Sequence, residues 1–372
     1  MAVIIWGAGS IGRGFVAELF MEGGYKIDFV DRDAALVEKL NKNGCYTIFK
    51  ADESGIEPKV INGGFEAHLP DDARVKELFF EEDLIVDVAV YKQDLESVAD
   101  MLTPLIVSRA NAMPESKLDI ITNVNMTSPE KEMRSMLEAR LPIGPARKYL
   151  DENTGVSGIF MMCISPKPNA EMLEKDPLAV YNNAFFEQAI DITALKGKHP
   201  IAPRLRLSDR LEAEEARKLY TLNMAHCLLA YLGTPKGLKT SLEAVRDEEL
   251  LGILKGALDE SSTGLIKKFG FTPEEMDEWK EIILSLLRNP YMADPLSRLG
   301  ADTKRKLGAK DRLVMPIKLC REAGKEPVNL IKALNAGYRF NNDDDGTRQV
   351  RLLVDTLGVE KAMLTVSGDI YK

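Results

Sequence analysis

The chain has 372 residues and a formal net charge of −9, with 45% hydrophobic and 29% charged residues. This composition is typical of a soluble globular protein that buries its own core. It argues against a nucleic-acid-binding protein, which usually needs a basic face. No apolar stretch is long enough to span a bilayer, and the first residues lack the basic segment and cleavage site of a signal peptide. We therefore expect a cytoplasmic protein with neither a membrane nor a nucleic-acid partner.

The first half of the chain alternates between apolar strands and helices. Strands are predicted at residues 3–6, 26–30, 84–90 and 118–122, and a helix at residues 95–107. Continuous apolar strands separated by helices predict a parallel sheet that is covered on both faces.

The second half changes character after a connection at residues 196–203. Helical periodicity dominates from there, at residues 209–232, 241–269, 273–288, 311–323, 327–338 and 347–358. We predict an α/β fold in which a Rossmann-type doubly wound sheet domain, residues 1–198, is followed by an all-helical substrate and catalytic domain, residues 199–372.

A glycine-rich turn follows the first strand and opens a helix. Gly7, Gly9 and Gly12 form the pattern G-x-G-x-x-G, and Asp31 lies 19 residues beyond the third glycine. The glycines permit a tight turn, approach of a pyrophosphate to the backbone, and close packing of helix on strand. This context predicts a dinucleotide site rather than a glycine-rich turn with no ligand. The predicted cofactor-binding residues are Gly7, Gly9, Ser10, Ile11, Gly12, Asp31, Arg32 and Val90.

The end of the second strand bears on the choice of cofactor. Asp31 can accept hydrogen bonds from an adenosine ribose and would repel a 2′-phosphate, which favours NAD. Arg32 stands next to it and could instead accept the extra phosphate of NADP. We predict NAD and keep NADP as the alternative.

The predicted helix at residues 209–232 carries polar groups in an apolar setting. At 100° per residue, Lys218, Asn223 and His226 fall on one broad face. A desolvated lysine can act as a base, and an amide can donate to an oxygen that develops charge. The alternative is purely structural, with a hydrogen-bonded core histidine and a lysine whose stem covers apolar surface.

Four segments of this sequence resemble the polyol-specific long-chain dehydrogenases, in particular their sugar-phosphate branch. They are GAGSIGRGF at residues 7–15, KLYTLNMAHCLLAYLG at 218–233, NPY at 289–291 and RKLGAKDRLVMP at 305–316. The resemblance implies a metal-independent mechanism in which Lys218 is the general base and His226 orients the substrate. Asn223 and Asn125 would form the oxyanion pocket.

The resemblance also implies contacts with a small-molecule substrate. Arg298 and Lys306, eight residues apart, match a basic pair that contacts substrate in the wider family. The candidates for binding a substrate phosphate are Arg298, Arg305, Lys306 and Arg339. The sequence departs from the family at Val124, where an acidic residue is usual, and at residues 91–93 and 162–166. These departures bear on the substrate rather than on the hydride chemistry.

The function implied is NAD-dependent, reversible oxidation of mannitol 1-phosphate to fructose 6-phosphate, in a cleft between the domains. The nearest alternative is the same chemistry on an unphosphorylated polyol or a hexuronate. A rival of another class is a non-catalytic, NAD-binding redox sensor. No heptad pattern suggests a helical seam, so we expect a monomer. The four cysteines lack zinc-site spacing, and we expect no metal.

Overall fold

The computed structural model describes residues 2–126, 128–185 and 187–370. The chain divides into two compact units. The α/β unit comprises Met1–Ala51 and Ile56–Leu211, and the helical unit comprises Asp52–Gly55 and Glu212–Lys372. None of the described helices is both long enough and apolar enough to cross a membrane.

The described strands are β1 (Ala2–Trp6), β2 (Ile27–Val30), β3 (Cys45–Ala51), β4 (Ile56–Asn62), β5 (Phe65–His68), β6 (Asp83–Val88), β7 (Lys117–Thr122), β8 (Thr154–Ser157), β9 (Ile159–Met162), β10 (Val180–Asn183), β11 (Glu187–Asp191) and β12 (Leu205–Ser208). Six of them form the main sheet in the order β5-β2-β1-β6-β7-β8, and every neighbouring pair is parallel. This is the strand order of the Rossmann fold, so the predicted sheet domain is confirmed.

The main sheet is apolar on both faces because helices cover both. Val86 and Val88 point into one core, together with the helix at residues 95–112. Ile5, Phe29 and Ile121 point into the other. A strand that is buried on both sides reads as an unbroken apolar run, which is why β1, β6 and β7 were recognisable in the sequence.

Two smaller sheets were not predicted. One has the order β10-β3-β4, in which β3 pairs with β4 antiparallel and with β10 parallel. The other has the order β12-β11-β9. Their strands are mostly short or interrupted by charged residues, and β10 lies far from β3 along the chain. Neither property leaves a clear pattern in the sequence.

The described α-helices of the α/β unit are α1 (Ala17–Glu22), α2 (Ala34–Asn43), α3 (Ala73–Leu78), α4 (Leu95–Ala112), α5 (Pro129–Arg140), α6 (Pro145–Asn153) and α7 (Ala170–Lys175). Next come α8 (Leu211–Tyr220), α9 (Leu222–Gly233), α10 (Ser241–Arg246), α11 (Glu248–Phe269), α12 (Pro273–Arg288), α13 (Leu296–Gly300), α14 (Thr303–Lys306), α15 (Val314–Glu322), α16 (Val328–Gly337), α17 (Asp345–Leu357) and α18 (Val359–Ser367). The second part of the chain is mostly helical, as predicted, but its predicted all-helical domain also contains β12 at its start, which pairs with β11.

Two long helices predicted in this part were wrong in continuity. The stretch at residues 209–232 is broken at Thr221, and the stretch at residues 241–269 is broken at Asp247. The Asp247 carboxylate accepts a hydrogen bond from the Leu250 amide at 3.0 Å, which caps a new helix. By contrast α12 begins with a full capping box formed by Thr272 and Glu275, and its predicted bounds agree with the structure.

Candidate functional site

The glycine-rich turn has the geometry that its sequence predicts. Gly7 has a φ of +108°, and a Cβ there would lie 2.3 Å from the Ala89 carbonyl oxygen. A Cβ on Gly12 would lie 2.0 Å from the Gly7 carbonyl oxygen. Around Gly9 no described atom lies within 4 Å of a Cβ position, so this side of the turn is open. Only glycine fits the first and third positions, and the second leaves backbone accessible to a phosphate.

A buried arginine that the sequence reasoning missed holds this turn in place. Arg13 Nε donates to the Ala8 carbonyl oxygen at 2.6 Å, and its side chain is buried. The helix opens with a π-helical turn at Gly12–Val16, which leaves carbonyl groups without their usual partners. The Tyr46 hydroxyl donates to the Arg13 carbonyl, and Asn182 Nδ2 donates to the Gly14 carbonyl, both at 2.8 Å. In the sequence, Arg13 stands out as a charged residue in the otherwise apolar first turn of the helix.

The predicted ribose-binding carboxylate is fixed at the end of β2. Asp31 Oδ2 accepts from the Ala8 amide at 2.8 Å, and Oδ1 accepts from the Asp33 amide at 2.9 Å. Its neighbour Arg32 is 73% exposed and forms an ion pair with Asp94 at 2.8 Å. The carboxylate is therefore ordered beside the glycine turn, whereas the charge of Arg32 already has a partner.

The remaining predicted cofactor residues surround the same turn. Ser10 and Ile11 are half-buried at the start of the helix, and Val90 Cγ1 lies 3.1 Å from the Cβ position of Gly7. The structure thus brings the predicted cofactor residues together at the carboxyl ends of β1, β2 and β6. This edge, where the strand order reverses, is where doubly wound sheets bind ligands.

The loop after β7 carries Asn125, the predicted oxyanion amide of the α/β unit. Asn125 is exposed at a bend, two residues beyond Asn123. Asn123 Nδ2 donates to both carboxylate oxygens of Asp87, at 3.1 and 3.2 Å, and its backbone amide donates to the Val88 carbonyl at 2.8 Å. Burial raises the pKa of Asp87 to about 7, and the hydrogen bond from Asn123 offsets part of that effect. No motif marks Asp87 in the sequence, and the only signal is an acidic residue within an otherwise apolar strand.

In the helical unit, the predicted catalytic helix is interrupted between Lys218 and Asn223. Ser261 Oγ donates to the Tyr220 carbonyl oxygen at 2.6 Å, so that carbonyl is satisfied without a helical partner. The Trp279 indole donates to the Thr221 hydroxyl at 2.9 Å. Side chains from α11 and α12 therefore stabilise the break. The prediction that Lys218, Asn223 and His226 share one face assumed a continuous helix with 100° per residue, and that assumption was wrong.

The charge of Lys218 nonetheless acts on His226 across this break. Both are half-buried, as is Asn223. Burial lowers the pKa of His226 to about 3, and nearby positive charges act in the same direction. From the largest effect to the smallest, these charges belong to Arg312, Arg298, Lys306 and Lys218. The imidazole is therefore neutral near pH 7 and can donate or accept a hydrogen bond within a strongly basic cluster.

The four predicted phosphate residues differ in burial. Arg298 is 65% exposed and forms an ion pair with Asp294. Arg305 is 54% exposed and pairs with Asp302 at 2.5 Å and with Asp311 at 3.4 Å. Arg339 is exposed.

Lys306 is the buried member of the predicted set, at 7% exposure. Its Nζ donates to the Leu299 carbonyl oxygen at 2.8 Å. Burial lowers the pKa of Lys306, and the charges of Arg312 and Arg305 add to the effect. Arg312 lies in the same sequence motif but was not among the predicted residues. Of the neighbouring charges, that of Arg312 has the largest effect on the pKa of His226.

One group of acidic and imidazole side chains has the spacing of metal ligands among the described residues. It consists of Asp28, Glu66 and His68, whose ligand atoms lie within 4.8 Å of one another on β2 and β5. His68 Nε2 lies 2.9 Å from Asp28 Oδ1, so a hydrogen bond already satisfies the buried pair.

Comparison with known proteins agrees with both units. The mannitol dehydrogenase Rossmann domain matches residues 1–203, and the mannitol dehydrogenase C-terminal domain matches residues 210–361. The chain belongs to the mannitol dehydrogenase family. In this chain the glycine turn lies within the match to the Rossmann domain, and His226 lies within the match to the C-terminal domain.

Solved structures share the family fold at low sequence identity. A D-sorbitol dehydrogenase in substrate-free form aligns with a TM-score of 0.79 and 17% identity, over 99% of this chain and 88% of that one. The Pseudomonas fluorescens mannitol 2-dehydrogenase, solved with NAD and D-mannitol, aligns with a TM-score of 0.68 and 16% identity, over 100% of this chain and 88% of that one. At such identities these matches establish the fold.

Proposed function

We propose that this member of the mannitol dehydrogenase family catalyses the NAD-dependent, reversible oxidation of mannitol 1-phosphate to fructose 6-phosphate. The observation that carries the proposal is the basic cluster of the helical unit. Lys218, Lys306 and Arg312 all act on the pKa values of neighbouring groups there, around a neutral His226. Such a cluster suits a substrate that carries negative charge, and it supplies a lysine and an imidazole for chemistry at a hydroxyl group.

The choice of NAD is supported by the end of β2. The ordered Asp31 carboxylate suits hydrogen bonds from ribose hydroxyls and would repel a 2′-phosphate. Arg32 already pairs with Asp94, so binding a 2′-phosphate would require it to exchange partners. The mannitol 2-dehydrogenase of similar fold was solved with NAD, which is consistent with this choice.

The proposed mechanism assigns a task to each residue. When bound, NAD supplies the hydride acceptor. Lys218 takes the proton of the substrate hydroxyl, and the amides of Asn223 and Asn125 donate to its oxygen while that oxygen carries charge. Neutral His226 forms a hydrogen bond with a neighbouring hydroxyl and so fixes the reacting carbon. No metal ion is required, because lysine and amides perform both proton transfer and charge stabilisation.

The base assignment is tested by Lys218→Ala. Loss of a positioned base should lower kcat by about 100- to 10,000-fold, while the dissociation constant for NAD, measured by calorimetry, stays unchanged. Lys332→Ala, which removes a half-exposed lysine elsewhere in the helical unit, is the matched control and should keep normal turnover. Near-normal turnover in Lys218→Ala would contradict the assignment.

A second candidate is the same reaction on an unphosphorylated polyol. It is favoured by the similar fold of the mannitol 2-dehydrogenase that was solved with D-mannitol. Comparable rates on mannitol and on mannitol 1-phosphate would support it. A non-catalytic redox sensor would give no change in reduced-nicotinamide absorbance with any polyol or ketose.

A further inference from the structure

The basic residues of the helical unit differ in how much of their hydrogen-bonding capacity is already used. Arg298 is bound by Asp294 through both Nε and Nη2. Arg305 is bound by Asp302 and Asp311. Both side chains are more than half exposed, so water and carboxylates already satisfy them. Neither has the properties expected of a preformed anion site.

Arg312 is different. Its side chain is 11% exposed, and its Nε donates to Asp311 Oδ1 at 2.7 Å. Among the residues that the structure describes, no acceptor lies within hydrogen-bond distance of Nη1 or Nη2 of this arginine. A guanidinium has five donors, so the two terminal nitrogens of Arg312 can still donate to a ligand. Asp311 therefore holds the guanidinium group in place through Nε, and Nη1 and Nη2 remain available to a ligand.

Lys306 is a second buried cation with spare donors. Its Nζ donates one hydrogen bond, to the Leu299 carbonyl oxygen, and an ammonium group has three N–H donors. Arg312 lies near Lys306, because the Asp311 carboxylate pairs both with Arg312 and with Arg305, the residue before Lys306. Lys306 Nζ and the thiol of Cys227, the residue after His226, both contact the Leu299 carbonyl oxygen, which places Lys306 beside the part of α9 that carries the proposed substrate-orienting imidazole.

We propose that Arg312 and Lys306 together form the binding site for the phosphate group of the substrate, with Arg312 as the residue that determines phosphate specificity. This inference rests on the proposed function. Arg312 presents two parallel N–H groups, which match two phosphate oxygens, and Lys306 adds a point charge.

The charge balance favours a phosphate over a polyol hydroxyl. The acidic partner of Arg312 is Asp311, and that carboxylate is shared with Arg305. One shared carboxylate does not neutralise the mostly buried cations. A phosphate monoester, which carries a charge of about −1.5 to −2 near pH 7, would do so. A neutral hydroxyl adds no negative charge to these cations.

The test compares wild type, Arg312→Met and Arg312→Lys, with Arg348→Met as the control because Arg348 is an exposed, ion-paired arginine on α17. Steady-state rates are measured with mannitol 1-phosphate and with mannitol, together with competitive inhibition by inorganic phosphate. Arg312→Met should raise KM for mannitol 1-phosphate by about 10- to 100-fold, lower kcat/KM for mannitol by a much smaller factor, and abolish inhibition by phosphate. Arg312→Lys keeps the positive charge but loses the two parallel N–H groups, and it should give an intermediate KM for mannitol 1-phosphate.

The outcomes separate this inference from the proposed function. A wild-type enzyme that uses both substrates equally overturns the proposed function and the inference with it. A wild-type preference for the phosphorylated substrate that survives in Arg312→Met overturns the inference alone. An equal loss on both substrates in Arg312→Met, with a lowered melting temperature, would show that Arg312 is structural. If Arg312→Met does not fold, the ratio of kcat/KM for mannitol 1-phosphate to kcat/KM for mannitol is compared between Arg312→Lys and wild type instead.

Discussion

At the residue scale, two titratable groups, one half-buried and one buried, have pKa values displaced in opposite senses. His226 keeps its imidazole neutral because burial and positive neighbours both disfavour a further charge. Asp87 resists ionisation because it lies fully buried in β6, and Asn123 is its hydrogen-bond partner. Each displacement is a statement about stability, since the unfolded chain titrates at the ordinary values.

Asp87→Asn should change how stability depends on pH. Between the ordinary pKa of 3.8 and about 7, folded Asp87 keeps a proton that the unfolded chain has lost, so wild type loses stability as pH rises. The loss is at most about 1.4 kcal/mol per pH unit. Asp87→Asn removes this dependence, and the urea midpoint relative to wild type should rise between pH 5 and pH 8. The opposite contribution of His226 is common to both proteins and cancels in the difference.

Asp71→Asn, which changes an exposed carboxylate of the same unit, is the control for this comparison. Its midpoint should follow that of wild type at every pH. Parallel curves for wild type and Asp87→Asn would show that Asp87 is ionised throughout this range in the folded protein.

The same scale shows where residue-level prediction from sequence succeeds. The tasks of Gly7 and Gly12 follow from backbone sterics alone, so a motif in its context was sufficient. Arg13 and Arg312 lie inside recognised motifs, yet their roles depend on partners that no motif names. The Ala8 carbonyl group positions Arg13, and the Asp311 carboxylate positions Arg312.

At the scale of elements, the break at Thr221 is the feature on which the catalytic helix pair depends. Arg217 lies 4.0 Å from the Trp279 ring centroid, and the Thr221 hydroxyl donates to the Arg217 carbonyl. Ser261 and Trp279 stand on other helices, 41 and 58 residues from the groups they bind. Local periodicity predicts helix through such a position, because the compensating hydrogen bonds come from distant parts of the chain.

Thr221→Ala tests this account of the break. It removes the acceptor of the Trp279 indole and should destabilise the protein by about 1–3 kcal/mol. Because the break sets the position of Lys218 relative to α9, kcat should fall more than KM rises. Thr263→Ala, which removes an exposed helical hydroxyl bonded to the Asp259 carbonyl, is the matched control. The account fails if both variants have the same stability and turnover as wild type.

At the scale of the whole molecule, the sequence predicted β1, β2, β6 and β7 of the main sheet and the mostly helical character of the second part, but neither of the edge strands β5 and β8. Alternation of strands and helices, with right-handed crossovers, leaves few strand orders. The two smaller sheets escaped because pairing such as that of β10 with β3 joins segments far apart in the chain. The domain boundary at residue 198 and the monomeric state stay predictions.

The central claim is that the protein oxidises a sugar alcohol phosphate with NAD. Steady-state kinetics of the purified enzyme, with NAD and NADP against mannitol 1-phosphate and mannitol, tests it most directly. We predict the highest kcat/KM for NAD with mannitol 1-phosphate, and a value lower by about 100-fold for mannitol, since a desolvated, charge-assisted contact is lost. Equal kcat/KM values for mannitol and mannitol 1-phosphate, or a preference for NADP, would contradict the account.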